Sequence, residues 1–185
     1  MSNQFTSLAE SLNSYFRAYG GWKAVRTSPM TWLSVIITAL NYHRWISSEW
    51  IDLTYSLVPS LLGFSLGTYS ILFSIVTARM RRTMSELKGD TGDSYLAIVN
   101  STFFHFIFVQ ILAMMWAMVF DSHLGSDLQK IIQYESDLFS LFSSGARYLA
   151  SYIGFFLLTY SFLLTLSAAL AVYGLATLST PPDDN

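Results

Sequence analysis

Polar side chains inside long apolar stretches are the first candidates for chemistry in this 185-residue chain. His105 lies between Asn100 and Gln110 in a stretch without any formal charge. An imidazole at membrane depth can relay protons, gate a pore or bind a ligand or metal, and it can also hydrogen-bond to another helix. On an α-helix His105 lies about 140° around from Asn100, and Gln110 lies about another 140° further round, so the three face different directions. The spacing favours interhelical hydrogen bonding over a continuous polar lining, and leaves gating or ligand binding as alternatives.

A second group of ionisable residues flanks the apolar stretches. Two histidines and three carboxylates could bind a divalent metal or sense pH, although scattered loop charges are the simpler interpretation: His43, Glu49, Asp52, Asp121 and His123. The chain has no cysteine, no HExxH pattern and no serine accompanied by a base and an orienting acid. We therefore predict no enzymatic activity, no catalytic residue, no cofactor and no metal.

Small residues at helical spacing predict close helix contacts. Gly63 and Gly67 form a GxxxG motif, and Ala171 and Gly174 offer a similar strip near the C-terminus. Small residues let two backbones approach closely in lipid, where the hydrophobic effect does not drive helices together. The strips can serve packing within one chain or self-association.

A basic cluster follows the second long apolar stretch. Arg79, Arg81 and Arg82 are typical of an anchor that stops membrane transfer. They could equally bind anionic head groups or an acidic patch on a cytoplasmic protein partner. The net charge of −2 gives no sign of direct nucleic-acid binding.

The elements that position these residues follow from the charge distribution. Charged residues make up 12% of the chain, about half the share usual for soluble domains. No charged residue occurs in 53–78, in 94–120 or in 148–182, and each stretch exceeds the ~20 residues that a membrane-spanning helix needs. The sequence thus predicts an integral membrane protein that depends on the lipid bilayer.

The complete prediction is an all-α, integral membrane four-helix bundle that forms one domain, 1–185. Its spans are expected at about 29–45, 53–78, 94–120 and 148–178. The first is short, begins at Pro29 and has tryptophans around its ends (Trp22, Trp32, Trp45 and Trp50), so a re-entrant or interfacial helix is its alternative.

Two amphipathic helices are also predicted. One covers 5–19, with an apolar face and a Ser7–Glu10 capping box, and lies on the membrane surface or packs against the bundle. The other joins spans three and four and begins near Ser126.

Lys and Arg predict the orientation. Seven of the ten fall in the N-terminal segment and the loop between spans two and three: Arg17, Lys23, Arg26, Arg79, Arg81, Arg82 and Lys88. The positive-inside rule then predicts a protein of a bacterial inner membrane with both termini in the cytoplasm. With three spans only, these two basic segments would lie on opposite sides, which favours four.

The run Leu61-Leu-Gly-Phe-Ser-Leu-Gly-Thr-Tyr-Ser-Ile71, followed by a short basic loop, resembles small four-span proteins of bacterial mobile and defence loci. In size and predicted span count the chain is similar to the membrane subunit of the Kiwa anti-phage system. The similarity in architecture extends over the whole chain, whereas the similarity in sequence pattern is limited to about a dozen residues. It implies an inner-membrane oligomer, a cytoplasmic DNA-acting partner protein and detection of phage at the envelope, and it carries over no active-site residue.

We predict a non-enzymatic inner-membrane sensor or scaffold, a homo-oligomer that recruits or regulates a cytoplasmic partner. A holin- or toxin-like pore former that depolarises the membrane is the alternative. A small transporter is a third class, and it would have only Asn100, His105 and Gln110 for a substrate site.

Overall fold

The computed structural model describes residues 2–89, 92–122 and 137–178. This part of the chain is all-helical and contains no β-strand. The eight helices it contains are α1 (Ser2–Tyr19), α2 (Gly21–Thr27), α3 (Pro29–Leu40), α4 (Tyr42–Ile46), α5 (Trp50–Ile75), α6 (Ala78–Glu86), α7 (Tyr95–Asp121) and α8 (Asp137–Leu178).

Three of these helices are long and apolar enough to cross a membrane. Their apolar segments are Trp50–Ser74 in α5, Tyr95–Asp121 in α7 and Ser143–Leu170 in α8. They correspond to the second, third and fourth predicted spans. α8 has 42 residues, so it is about 63 Å long, twice the hydrocarbon thickness of a bilayer. It therefore extends well beyond its apolar segment.

α5, α7 and α8 pack against one another around two buried clusters. One cluster joins Leu72 of α5 to Phe103 and Phe106 of α7 and to Tyr160 and Leu164 of α8. The other lies at the opposite end of the bundle, where α5 begins and α7 ends. It contains Trp50, Val58, Ala113, Ala117, Phe155 and Leu158.

The predicted first span, 29–45, is divided in the structure. α3 ends at Leu40, and the side chain and backbone amides of Asn41 both donate to the Ile37 carbonyl and cap its end. α3 alone has 12 residues and is about 18 Å long, less than the ~30 Å of hydrocarbon that a span must cross. α4 continues in the same direction along α8. The Thr38 and Thr159 hydroxyls are hydrogen-bonded at 3.2 Å, and Trp45 packs edge-on against Tyr152.

Trp50, one of the tryptophans expected to surround the first span as an aromatic belt, faces the inside of the bundle. Its side chain is fully buried, and its indole N–H donates to the Ser151 hydroxyl at 2.7 Å. The ring lies directly on Gly154, where an added Cβ would overlap three ring carbons. Trp22 and Trp32 are 68% and 59% exposed and remain free to meet lipid head groups.

The N-terminal helix packs against α7. Tyr15 contacts Phe104 and Phe108 at ring-centroid distances of 4.8 and 5.8 Å. Phe5 and Leu8, on the predicted apolar face, are 76% and 57% exposed. α1 is therefore attached by its C-terminal half.

One predicted feature lies outside the described residues. The segment 123–136 carries His123 and most of the expected amphipathic helix between spans three and four.

Candidate functional site

The polar residues of α7 each meet a different set of neighbours. Asn100 accepts a hydrogen bond from the Tyr69 hydroxyl of α5. His105 contacts α1 and α8, and Gln110 contacts α5 and α8. The structure thus does not bring the three residues together. Through these three residues α7 is hydrogen-bonded to α1, α5 and α8.

His105 is surrounded by three tyrosines, Tyr15, Tyr19 and Tyr160. Its Nδ1 is 2.7 Å from the Tyr15 hydroxyl, and its Nε2 is 3.2 Å from the Tyr160 hydroxyl. Tyr19 stacks on the imidazole with ring centroids 3.9 Å apart. A neutral imidazole has one N–H donor and one acceptor nitrogen, so one phenol donates and the other accepts.

The phenol of Tyr15 is protonated at neutral pH, and burial raises its pKa further, to about 12. Its hydroxyl hydrogen is therefore available to His105. The arrangement holds α1 on α7 and leaves His105 only 5% exposed. It is a docking contact between helices.

Gln110 forms a junction of three helices. Its side-chain N–H groups donate to the Ser65 hydroxyl of α5 and the Thr165 hydroxyl of α8, both at 2.9 Å. Thr165 in turn donates to the Ser161 carbonyl. Gln110 and Ser65 are fully buried, and the Gln110 Oε1 has no hydrogen-bond partner. Gln110 lines neither of the two cavities described below.

Gly63 and Gly67 lie on an open face of α5. A Cβ built on either glycine meets no atom within 4 Å. The open face continues along the helix through four exposed serines: Ser56, Ser60, Ser70 and Ser74. These six positions form two seven-residue series, 56-63-70 and 60-67-74, and so make one straight stripe of small residues. We call it the small-residue stripe. Ser56, Ser70 and Ser74 donate to carbonyls of their own helix, which makes their hydroxyls tolerable in lipid.

The run Gly63-Phe-Ser65-Leu-Gly67 also matches the GxSxG pattern of hydrolase nucleophiles. That motif requires a sharp strand-to-helix turn that exposes the serine beside a histidine base. Ser65 instead lies in the middle of α5, fully buried, and accepts a hydrogen bond from Gln110. The geometry is that of a packing residue.

Ala171 and Gly174 lie in the last turns of α8. Their side-chain surroundings lie outside what the structure describes.

The arginine cluster lies on α6, a short helix that begins where α5 has ended. Thr77 caps it by accepting from the Met80 amide, and Met84 anchors it to the bundle with 7% exposure. Arg82 pairs with Glu86 at 3.0 Å, whereas no carboxylate among the described residues pairs with Arg79 or Arg81. An open groove of about 570 Å³ is lined by Arg81, Arg82 and Ser85 and by apolar Val76, Ala78 and Leu96. The surface combines positive charge with an apolar floor.

The ionisable residues near the helix ends do not gather into a metal site. Within the described ranges no group of three or more His, Asp or Glu side chains could hold a metal. Glu49 pairs with Arg44 at 3.6 Å, and Asp121 accepts from the Tyr55 hydroxyl. His43 stacks on its neighbour Tyr42.

The sequence alone did not predict several of the residues that form these contacts. They are the partners of the polar side chains on α7 and the two residues of the closest helix contact: Tyr15, Tyr19, Tyr69, Tyr160, Ser65, Thr165, Trp50 and Gly154. One signal was available, because Ser65 lies about 200° around α5 from Gly63 and must therefore face away from it. The other partners carry no local pattern.

Comparisons with protein-family models, with curated proteins and with solved structures find no match to this chain.

Proposed function

We propose that this chain is a non-enzymatic inner-membrane sensor or scaffold that self-associates through α5 and recruits or regulates a cytoplasmic partner through α6. The observation that carries the proposal is the small-residue stripe, which no other part of the described chain covers. A stripe of this kind lets a second helix approach closely.

Self-association follows from the position of the stripe relative to the core. The opposite side of α5 supplies Thr54, Val58, Ser65 and Leu72 to the bundle, and these side chains are buried. The stripe faces outward, although glycines and serines gain little from contact with lipid tails. A repeat of seven residues favours a left-handed crossing of two copies of α5. The homo-oligomer is therefore formed by α5 against α5.

The orientation that we propose has four crossings with both termini inside. α3 and α4 together run from Met30, beside the cluster of Leu164, to Trp45, whose carbonyl accepts from the Ser151 hydroxyl. They thus accompany α8 from Ser151 to the cluster around Leu164, which is about half of the apolar segment Ser143–Leu170. This path supports a broken fourth crossing, and the positive-inside rule then places α6 in the cytoplasm.

The surface of α6 suits an acidic partner. Arg79 and Arg81 are exposed, and no described carboxylate neutralises them. A cytoplasmic protein with an acidic patch would gain charge-assisted hydrogen bonds there. The resemblance to the Kiwa membrane subunit extends the proposal to anti-phage defence with a DNA-acting partner, and this extension rests on that resemblance alone.

Replacing Gly63 and Gly67 with isoleucine tests the interface. Both positions are open, so the side chains do not disturb the fold of one chain, but they block a close approach of two chains. We expect the double variant to shift from oligomer to monomer in chemical cross-linking and light scattering in mild detergent.

Gly145→Ile is the matched control, because Gly145 is equally open and lies on α8. It should leave the oligomer intact. An unchanged oligomer in the Gly63/Gly67 variant would reject the stripe as the interface.

A pore former is the second candidate, and the serines of the stripe favour it. In a ring of α5 helices, Ser56, Ser60, Ser70 and Ser74 could line a water-filled channel. Overexpression with a potential-sensitive dye separates the two functions. Rapid depolarisation by this chain alone, abolished by Gly63→Ile/Gly67→Ile, supports the pore, whereas an unchanged membrane potential supports the scaffold.

A further inference from the structure

A small cavity lies where α4, the end of α7 and the first half of α8 meet. Its volume is about 300 Å³, the lower end of the range for ligand pockets and about ten times the volume of a water molecule in the liquid. It lies at the end of the bundle opposite α6, beside the buried Trp50. None of the functions considered above uses it.

Hydrogen-bond donors dominate the polar part of the cavity wall. Arg147, Ser48, Ser144 and Tyr148 all line it. In the described chain no carboxylate pairs with Arg147, and the three hydroxyls form no hydrogen bond. Among the described residues that line the cavity, none is acidic. The wall thus offers one guanidinium and three hydroxyls to an acceptor-rich ligand.

The apolar part of the wall consists of two aromatic rings and Ile46. Trp45 and Phe120 line the cavity. The indole N–H of Trp45 already donates to the Thr38 carbonyl at 3.0 Å, which fixes the ring and leaves only its carbon surface for a ligand. The bound molecule therefore has an apolar part as well as an acceptor-rich part.

Ser48 adds an independent sign of function. Its φ of +63° makes it the only non-glycine residue with positive φ in the described chain. A serine in this backbone region is strained, and such strain concentrates at binding and catalytic sites. Its carbonyl accepts from the Ile51 amide at 3.2 Å and so holds the turn between α4 and α5 in place. A glycine would satisfy this backbone without strain but would supply no hydroxyl to the cavity.

We propose that this cavity binds an organic phosphate. A phosphate group offers three or four oxygens to the four donors, whereas a carboxylate offers two, and arginine forms paired hydrogen bonds with phosphate oxygens. The rings of Trp45 and Phe120 accommodate the organic part. The phosphate belongs either to a soluble ester or to a phospholipid head group at the membrane surface. The phosphate binding proposed here does not depend on the proposed scaffold function or on self-association.

Direct binding to the full-length protein in maltoside micelles, which contain no phosphate, tests the proposal. In one arm, glycerol 3-phosphate and phenyl phosphate are titrated by calorimetry. In the other arm, phosphatidylglycerol is added to the micelles, the protein is released from them in the mass spectrometer, and the lipid retained on the protein is counted. Binding in the first arm identifies a soluble ester, and binding in the second alone identifies a head group. Binding in neither arm overturns the proposal.

Arg147→Gln should weaken binding about tenfold or more, because it removes the charge-assisted hydrogen bonds. Arg44→Gln is the matched control, since Arg44 lies at the same end of the bundle, pairs with Glu49 and does not line the cavity. Equal weakening by both substitutions would indicate a general charge effect and reject the site, as would unchanged binding in Arg147→Gln.

Ser48→Gly separates binding from folding. It should leave the melting temperature unchanged or raise it, because glycine relieves the strained φ. It should also weaken binding about threefold to tenfold through the lost hydroxyl. Full affinity in this variant would show that the strained serine does not serve the ligand and would contradict the arrangement proposed.

Discussion

At the scale of single residues, polar side chains and close packing contribute differently to this bundle. Gln110 forms two hydrogen bonds between helices, and such bonds in membrane proteins contribute roughly 0.6 kcal/mol on average. The Oε1 atom of Gln110 is buried without a hydrogen-bond partner, and this cost offsets part of the stabilisation from the two bonds. Trp50 instead fills the space over Gly154 with a fully buried ring. A misfit in such a core costs about 1–3 kcal/mol, so packing outweighs the hydrogen bonds at this scale.

Gly154→Ala tests this weighting. Its Cβ would overlap the Trp50 ring, which cannot retreat easily because its N–H is bound to Ser151. We expect the free energy of unfolding to fall by about 1–3 kcal/mol, measured by unfolding in mixed detergent micelles. Gly145→Ala should be neutral or stabilising, since alanine favours helix and the position is open. Equal stabilities of the two variants would mean that the Trp50 contact does not limit packing.

At the scale of elements, α1 is the least firmly attached of the long helices. Tyr15 and Tyr19 hold its C-terminal half to His105 of α7. Gly20 and Gly21 follow, with φ of +100° and +60°, and form a turn that other residues would adopt only with strain. Phe5 and Leu8 remain exposed. The helix therefore has two possible supports, the aromatic contact with α7 and the membrane surface.

Hydrogen exchange distinguishes these supports. An isolated helix of 18 residues is only marginally stable, so the amides of α1 report its attachment. If α7 holds it, Tyr15→Phe combined with Tyr19→Ala should speed exchange in α1 about tenfold through the lost hydrogen bond and ring contacts. Phe5→Ala should then have little effect. The reverse pattern would show that lipid holds α1.

At the scale of the whole molecule, the number of crossings decides which surfaces can meet a partner. α5, α7 and α8 each have membrane-length apolar segments. The divided pair α3 and α4 determines whether the N-terminal segment and α6 share a side. With four crossings, Arg17, Lys23 and Arg26 face the same compartment as Arg79 and Arg81, and one partner could contact both basic segments.

Cysteine labelling measures this directly, because the natural chain contains no cysteine. Single cysteines at Thr27, Ser85 and Ser122 occupy exposed positions beside α3, in α6 and after α7. An impermeant maleimide should label Thr27→Cys and Ser85→Cys only in inverted vesicles, and Ser122→Cys only in intact spheroplasts. Labelling of Thr27→Cys from outside, with Ser85→Cys still inside, would establish three crossings.

The amino-acid sequence alone predicted the all-helical character and three apolar helices of membrane length. It did so because helices that meet lipid must satisfy their backbone internally and exclude charge, so composition over about twenty residues identifies them. It also indicated that Asn100, His105 and Gln110 face different directions, since that depends only on helical geometry. The break at Asn41 was not predicted, although the apolar run ends at Leu40 and the polar residues Asn41, His43 and Arg44 follow. The side chain and amide of Asn41 cap the helix there.

Only the tertiary structure decided which side chains meet. Tyr15 lies 90 positions from His105, Gln110 joins two helices at once, and Trp50 turned inward where a tryptophan at a helix end suggested an interface. Helices that are apolar on all sides lack a polar face from which their rotation or register in the bundle could be predicted. In lipid these are set by the shape of close contacts, such as Trp50 on Gly154, and shape exists only once the helices are assembled.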